Sequence, residues 1–72
     1  EVDDLTSLQG VGEVICQRLH DAGIYTYRQV AEWRAPQIRA ISEDLKLRDR
    51  VRRNGWQKQA RALHKEKYGR AP

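Results

Sequence analysis

A nucleophile-and-base pair or a soft-metal site in this 72-residue chain would draw on Ser7, Ser42, Cys16, His20 and His64. These are scattered. Neither histidine has a second ligand four residues on or a cysteine nearby, so His20 and His64 read as surface or half-buried side chains. With one cysteine in the chain, Cys16 excludes an internal disulfide and a cysteine cage for zinc. Its apolar neighbours make it a packed small residue. Carboxylates do not cluster at a spacing that would serve general acid–base work. The expectation is a protein that is not an enzyme and holds no metal and no cofactor.

Phosphate chemistry is better provided for. In Leu8-Gln9-Gly10-Val11-Gly12, two glycines bracket one apolar residue between two amphipathic runs, which describes a tight turn between helices. Gly10 can reverse the chain at positive φ, Val11 points inward, and Gly12 leaves the backbone open at the start of the next helix. The first N–H groups of that helix lack intrahelical partners and lie at the positive end of its dipole, so they can receive a phosphate. Glu13, immediately after, favours the same dipole but places negative charge where the phosphate would sit. A second source of anion binding is the cluster Lys46, Arg48, Arg50, Arg52 and Arg53, followed by Lys58, Arg61 and Lys65.

Those groups need elements to carry them. Asp3 or Asp4 can cap a short first helix holding Leu5 and Leu8. A second helix is expected from Glu13 to Ala22, with the stripe Ile15, Cys16, Leu19 and Ala22, stopped by Gly23. Thr26-x-x-Gln29 is a capping box and Tyr25 with Val30 has staple spacing, so a third helix runs from Tyr27 to about Trp33. Pro36 opens a fourth, capped poorly by Ala35, with Ile38, Ile41 and Leu45 at helical spacing. Lys46 to Arg53 is expected as an arginine-rich loop. Asn54-x-x-Gln57 then caps a last helix reaching Tyr68 before Gly69. Winding at 100° per residue sets Trp56, Ala60 and Leu63 on one side of it and Lys58, Arg61 and Lys65 on the other.

The residues Leu5, Leu8, Gly10, Val11 and Gly12 meet the apolar-x-x-apolar-x-Gly-apolar-Gly pattern of the helix-hairpin-helix family, which the chain resembles. Cys16 stands at that family's small position and Leu19 at an apolar one. A looser likeness covers Asp3-Asp4-Leu5-Thr6, Gly23-Ile24-Tyr25-Thr26, and Arg50, Arg53, Trp56, Gln59, Ala60 and Leu63. It is similar to the small domain of that family appended to unrelated bacterial proteins, among them a ribosomal protein and an NADH dehydrogenase subunit. The resemblance implies an all-α fold: five short helices in a paired helix-hairpin-helix-like (SAM-domain-like) bundle with a degenerate second hairpin. It also implies that the hairpin amides hold a phosphate without reading bases. DNA-binding members commonly place a Lys or Arg within the two residues after the second glycine, where this chain has Glu13 and Val14.

Composition bounds the rest. The chain is 33% charged and 39% apolar, with two prolines, as suits a helical domain more than a disordered tail. No apolar run approaches the ~20 residues of a membrane span, and no signal peptide opens the chain. Residues 1–33 hold two basic and six acidic groups, a net of −4, and residues 34–72 hold twelve and four, a net of +8, giving the overall +4. Such asymmetry marks a nucleic-acid surface or two mutually attracting halves. Residues 1–72 are expected to form one domain cut from a longer, cytoplasmic protein. The expected function is weak, sequence-independent binding of double-stranded DNA or structured RNA, through Gly10, Val11, Gly12, Arg50, Arg52, Arg53, Lys58, Arg61 and Lys65. The alternative is a protein-interaction or assembly module that contacts another protein or the rest of its own parent chain.

Overall fold

In the computed structural model, which describes residues 2–72, the first expected helix is only a 3-10 turn, Leu5–Ser7. Asp4 starts it by accepting the Thr6 N–H at 3.1 Å. Asp3 does something else: its Oδ2 accepts the Tyr27 N–H at 2.8 Å, so it serves the start of a helix far along the chain.

Five α-helices follow, α1 (Glu13–Asp21), α2 (Tyr27–Ala31), α3 (Ala35–Asp44), α4 (Arg50–Asn54) and α5 (Trp56–Tyr68), with no strand among the described residues. The all-α expectation holds, with one exchange. The first turn is not an α-helix, and the segment expected as an arginine-rich loop supplies α4 instead. The reason lies in Leu47, just before α4, and Val51, within it, buried at 4% and 2% exposure, which anchor the segment to the core.

Helix ends follow local chemistry. The Ile24 N–H reaches Leu19 O at 2.8 Å and the Gly23 N–H reaches His20 O at 2.9 Å, a Schellman closure of α1 with Gly23 at φ +86°. The end of α3 repeats it. There the Leu47 N–H bonds Ser42 O at 2.8 Å and the Lys46 N–H bonds Glu43 O at 3.3 Å, with Lys46 at φ +56° in the glycine position. Arg48, on the other side of buried Leu47, is also left-handed at φ +57°. Lys46-Leu47-Arg48 thus echoes Gly10-Val11-Gly12 in having a buried apolar residue between two residues that shape a turn, although the glycines are gone.

The capping box at Thr26 and Gln29 is formed as expected. Three other expectations are corrected. Arg34, not Ala35, precedes α3, and its N–H is held by Gln37 Oε1 at 2.9 Å. Asn54 does not cap α5: it closes α4, donating from Nδ2 to Arg50 O at 3.1 Å, and left-handed Gly55 stands between the two helices. Tyr25 does not staple onto Val30. It is 42% exposed, with its ring against His20 at 5.2 Å, while Val30 is fully buried.

Packing of α2 on α5 is the main helix contact. Tyr27, Val30 and Ala31 meet the side of α5 that buries Trp56, Ala60 and His64. Leu5, Leu8, Val11 and Leu19 complete the core from the hairpin side, and Leu47 and Val51 from the other. The molecule measures 32 × 22 × 18 Å.

Candidate nucleic-acid interface

The hairpin is held by its own geometry and by α5. Val11 is buried, and its N–H is spent on Leu8 O at 3.0 Å, so of the three expected hairpin residues Val11 has neither side chain nor amide to offer a phosphate. Gly10 sits at φ +94°, and a Cβ there would stand 2.6 Å from Asn54 Nδ2 and 3.3 Å from Trp56 Nε1. Both main-chain groups of Gln9 are gripped from α5: the N–H donates to Gln59 Oε1 at 2.8 Å, and the carbonyl accepts Trp56 Nε1–H at 2.9 Å. Gly12, by contrast, is exposed extended backbone with open space beside it, directly before α1. Exposed Glu13 and Val14, the latter 67% exposed, flank it. The hairpin therefore leaves the Gly12–Val14 end of α1 accessible but ringed by a carboxylate and an apolar side chain.

The cationic residues divide between two sides of α4 and α5. Asn54 faces the hairpin from α4, and Arg50, one turn earlier, shares that side. Arg53 is tied to Asp49, with Nη2 at 2.9 and 3.1 Å from its two carboxylate oxygens. That hydrogen bond, against a small cost of burial, holds the Asp49 carboxyl below its ordinary range, and Arg53 is the more engaged for it. Arg52 lies across the helix. With Lys58, Arg61 and Gln57 it lines a shallow depression beside the Gly55 break, floored by Val51. Lys65 continues the row one turn beyond Arg61 on the exposed face of α5. The structure thus brings Arg52, Lys58, Arg61 and Lys65 together, leaves Arg50 on the hairpin side, and sets Gly10 and Gly12 apart from the row. Gln59 on the hairpin side and Gln57 on the groove side are about 200° apart around α5.

One cation outside the expected clusters, Arg39, joins this surface. A groove of about 830 Å³ between α3 and α4 is lined by Arg39 and Arg48 along with Arg52, over Ile38 and Val51. Arg39 was hidden in the sequence because it stands alone among apolar and small residues. Its position next to Ile38 on an amphipathic helix was the available signal.

No cluster of metal-ligating side chains occurs among the described residues. The expectation that no cysteine stands near His20 is corrected: Cys16, one turn earlier on α1, sets its Sγ 3.7 Å from His20 Nε2, and burial together with the Asp4 charge raises the thiol above its usual range. Such a thiol is a poor nucleophile. His64 is buried, with Nδ1 2.9 Å from Arg70 O. No helix among the described residues is long and apolar enough to cross a membrane.

Residues 5–64 match the family described as the RS2/RL21/YNQ2 HHH domain. The chain belongs to this helix-hairpin-helix family. Relatives of this HHH domain include small ribosomal subunit protein uS2 of Methylorubrum populi, 47% identical over 61 residues that make up 85% of this chain and 17% of the relative. The same protein of Methylobacterium nodulans is 48% identical over 61 residues, 85% of this chain and 18% of the relative. Large ribosomal subunit protein bL21 of Roseobacter denitrificans is 36% identical over 63 residues, 88% and 29% of the two chains. The chain spans less than a fifth of the uS2 relatives and under a third of the bL21 relative. No solved structure matches it.

Proposed function

We propose that this HHH domain is a non-catalytic module that holds the phosphate backbone of structured RNA, weakly and without reading sequence. The observation that carries the reading is the row Arg52, Lys58, Arg61 and Lys65, exposed on one face across the α4–α5 break. Cations in a row on rigid helices meet successive phosphates, and contacts to phosphate carry no base information. The hairpin is secondary, because Glu13 stands at its open end. Relatives that are ribosomal subunit proteins favour RNA over duplex DNA.

Fluorescence anisotropy with a labelled RNA duplex, titrated from low to physiological salt, tests this. Each phosphate contact adds ~0.9 to the salt slope on a B-form duplex and ~0.7 on a single strand. Lys58→Gln with Arg61→Gln should flatten the slope by between about one and two units. Arg53→Gln should change it far less than Arg52→Gln, since Arg53 is already bound to Asp49. Absence of binding at low salt and high micromolar protein would overturn the RNA reading in favour of a protein partner.

A further inference from the structure

The α3–α4 groove is not needed to hold a duplex backbone, yet it is built from two kinds of surface. Its floor is apolar, with half-buried Ile38 and buried Val51. Its rim is cationic, with Arg39, Lys46, Arg48 and Arg52. Of the two carboxylates that line it, Asp49 is already neutralised by Arg53, so four cations face Glu43 alone. A ligand complementary to both surfaces carries a flat, weakly polar body and at least one negative charge. Its volume, about 830 Å³, lies in the range of small-molecule sites. A nucleotide with its base out of the stack has that chemistry: the base lies on the apolar floor or against a guanidinium plane, and the flanking phosphates meet the rim. Ser42, half-buried on the wall, offers a hydroxyl to a base edge. Arg52 belongs both to this groove and to the cationic row on α5, so a strand following the row is led to the groove.

We propose that the α3–α4 groove receives an unpaired nucleotide of the bound RNA, so that the domain prefers duplexes interrupted by a bulge or loop. This rests on the backbone-binding reading above. The 72-residue chain is titrated against an RNA duplex and against the same duplex carrying a one-nucleotide bulge, at one low salt concentration. The bulged duplex should bind about tenfold more tightly. Ser42→Phe, which fills the groove from its wall, should remove that preference and leave affinity for the perfect duplex unchanged. Arg39→Gln, a change at an exposed side chain, should narrow the preference without unfolding risk. Equal binding of both duplexes by the unaltered chain would overturn the proposal while leaving the backbone reading intact, whereas binding of neither would remove that reading first. A preference that survives both substitutions places the unpaired base elsewhere and overturns it. So does a groove that ignores the bulge but takes an acidic amphipathic peptide in a manner blocked by Ser42→Phe.

Discussion

Gly10 and Gly12 look equivalent as letters and are opposite as positions. Gly10 is left-handed and pressed against Asn54 and Trp56, whereas Gly12 is extended with open space around it. Gly10→Ala should therefore lose roughly 1–3 kcal/mol of stability through backbone strain and the displaced Asn54 amide. Gly12→Ala should stay within about 0.5 kcal/mol, as substitutions away from packed features do. Urea midpoints of the two variants decide it. Lys46 offers the reverse experiment. It occupies the left-handed position of a Schellman motif without being glycine, at an intrinsic cost of roughly 1–2 kcal/mol. Lys46→Gly should raise the urea midpoint, by ~0.5–1 kcal/mol after the entropy of the unfolded glycine is counted.

At the scale of elements, what could be read from sequence was what short-range chemistry decides. Thr26 and Gln29 form a box within four residues, Gly23 ends α1 where the stripe ends, and the Leu5-Leu8-Val11 pattern needs only the turn to be recognised. What could not be read depended on distant partners. Asn54 has the letter of an N-cap, yet its amide turns back to Arg50 O because Gly55 breaks the chain direction after it. Gln57 donates to Trp33 O instead of closing a box. The helix α4 was masked by its arginines, because buried Val51 is its one apolar residue and five residues carry no readable period. The cationic face of α5 was legible from winding alone, but its continuation to Arg39 and Arg48 required α3 to be laid beside α4. The grip of α5 on the hairpin, equally invisible in sequence, gives a prediction of its own. Trp56→Phe removes the donor to Gln9 O and trims a fully buried ring. It should cost roughly 1.5–3 kcal/mol, from the unpaired carbonyl and the space left by the smaller ring, and speed amide exchange in the hairpin relative to the core, as followed by NMR.

The molecule as a whole is closed by Asp3. Its carboxylate, 2% exposed, accepts from Lys67 Nζ at 2.5 Å, from Tyr68 Oη–H at 2.6 Å and from the Tyr27 N–H at 2.8 Å. Burial alone would push this carboxyl up, and the Lys67, Tyr68 and Tyr27 hydrogen bonds together outweigh it and hold it below the ordinary range. Lys67 is correspondingly raised by its bond to Asp3. A carboxyl lowered by folding contributes stability that is fully present above its unfolded value, about 3.9. That stability is lost as pH falls through the lower folded value. The domain should therefore lose stability below about pH 4, and Asp3→Asn should flatten that part of the profile while costing roughly 1.5–3 kcal/mol at neutral pH. Thermal melts of both proteins between pH 2 and 7 check the two halves of this expectation.

The same cluster sets where the domain yields under load. Asp3 belongs to the segment ahead of the 3-10 turn and Lys67 and Tyr68 to the last turn of α5, so this cluster ties the first described residues to the last helix. A pull applied to the two flanks should load the His64 contact with Arg70 O, the Asp3 contacts and the Asp3 N–H bond to Tyr25 O before Trp56 or the hairpin. Single-molecule pulling on the two flanks should therefore show this corner parting in a step of its own, ahead of the unfolding of the core.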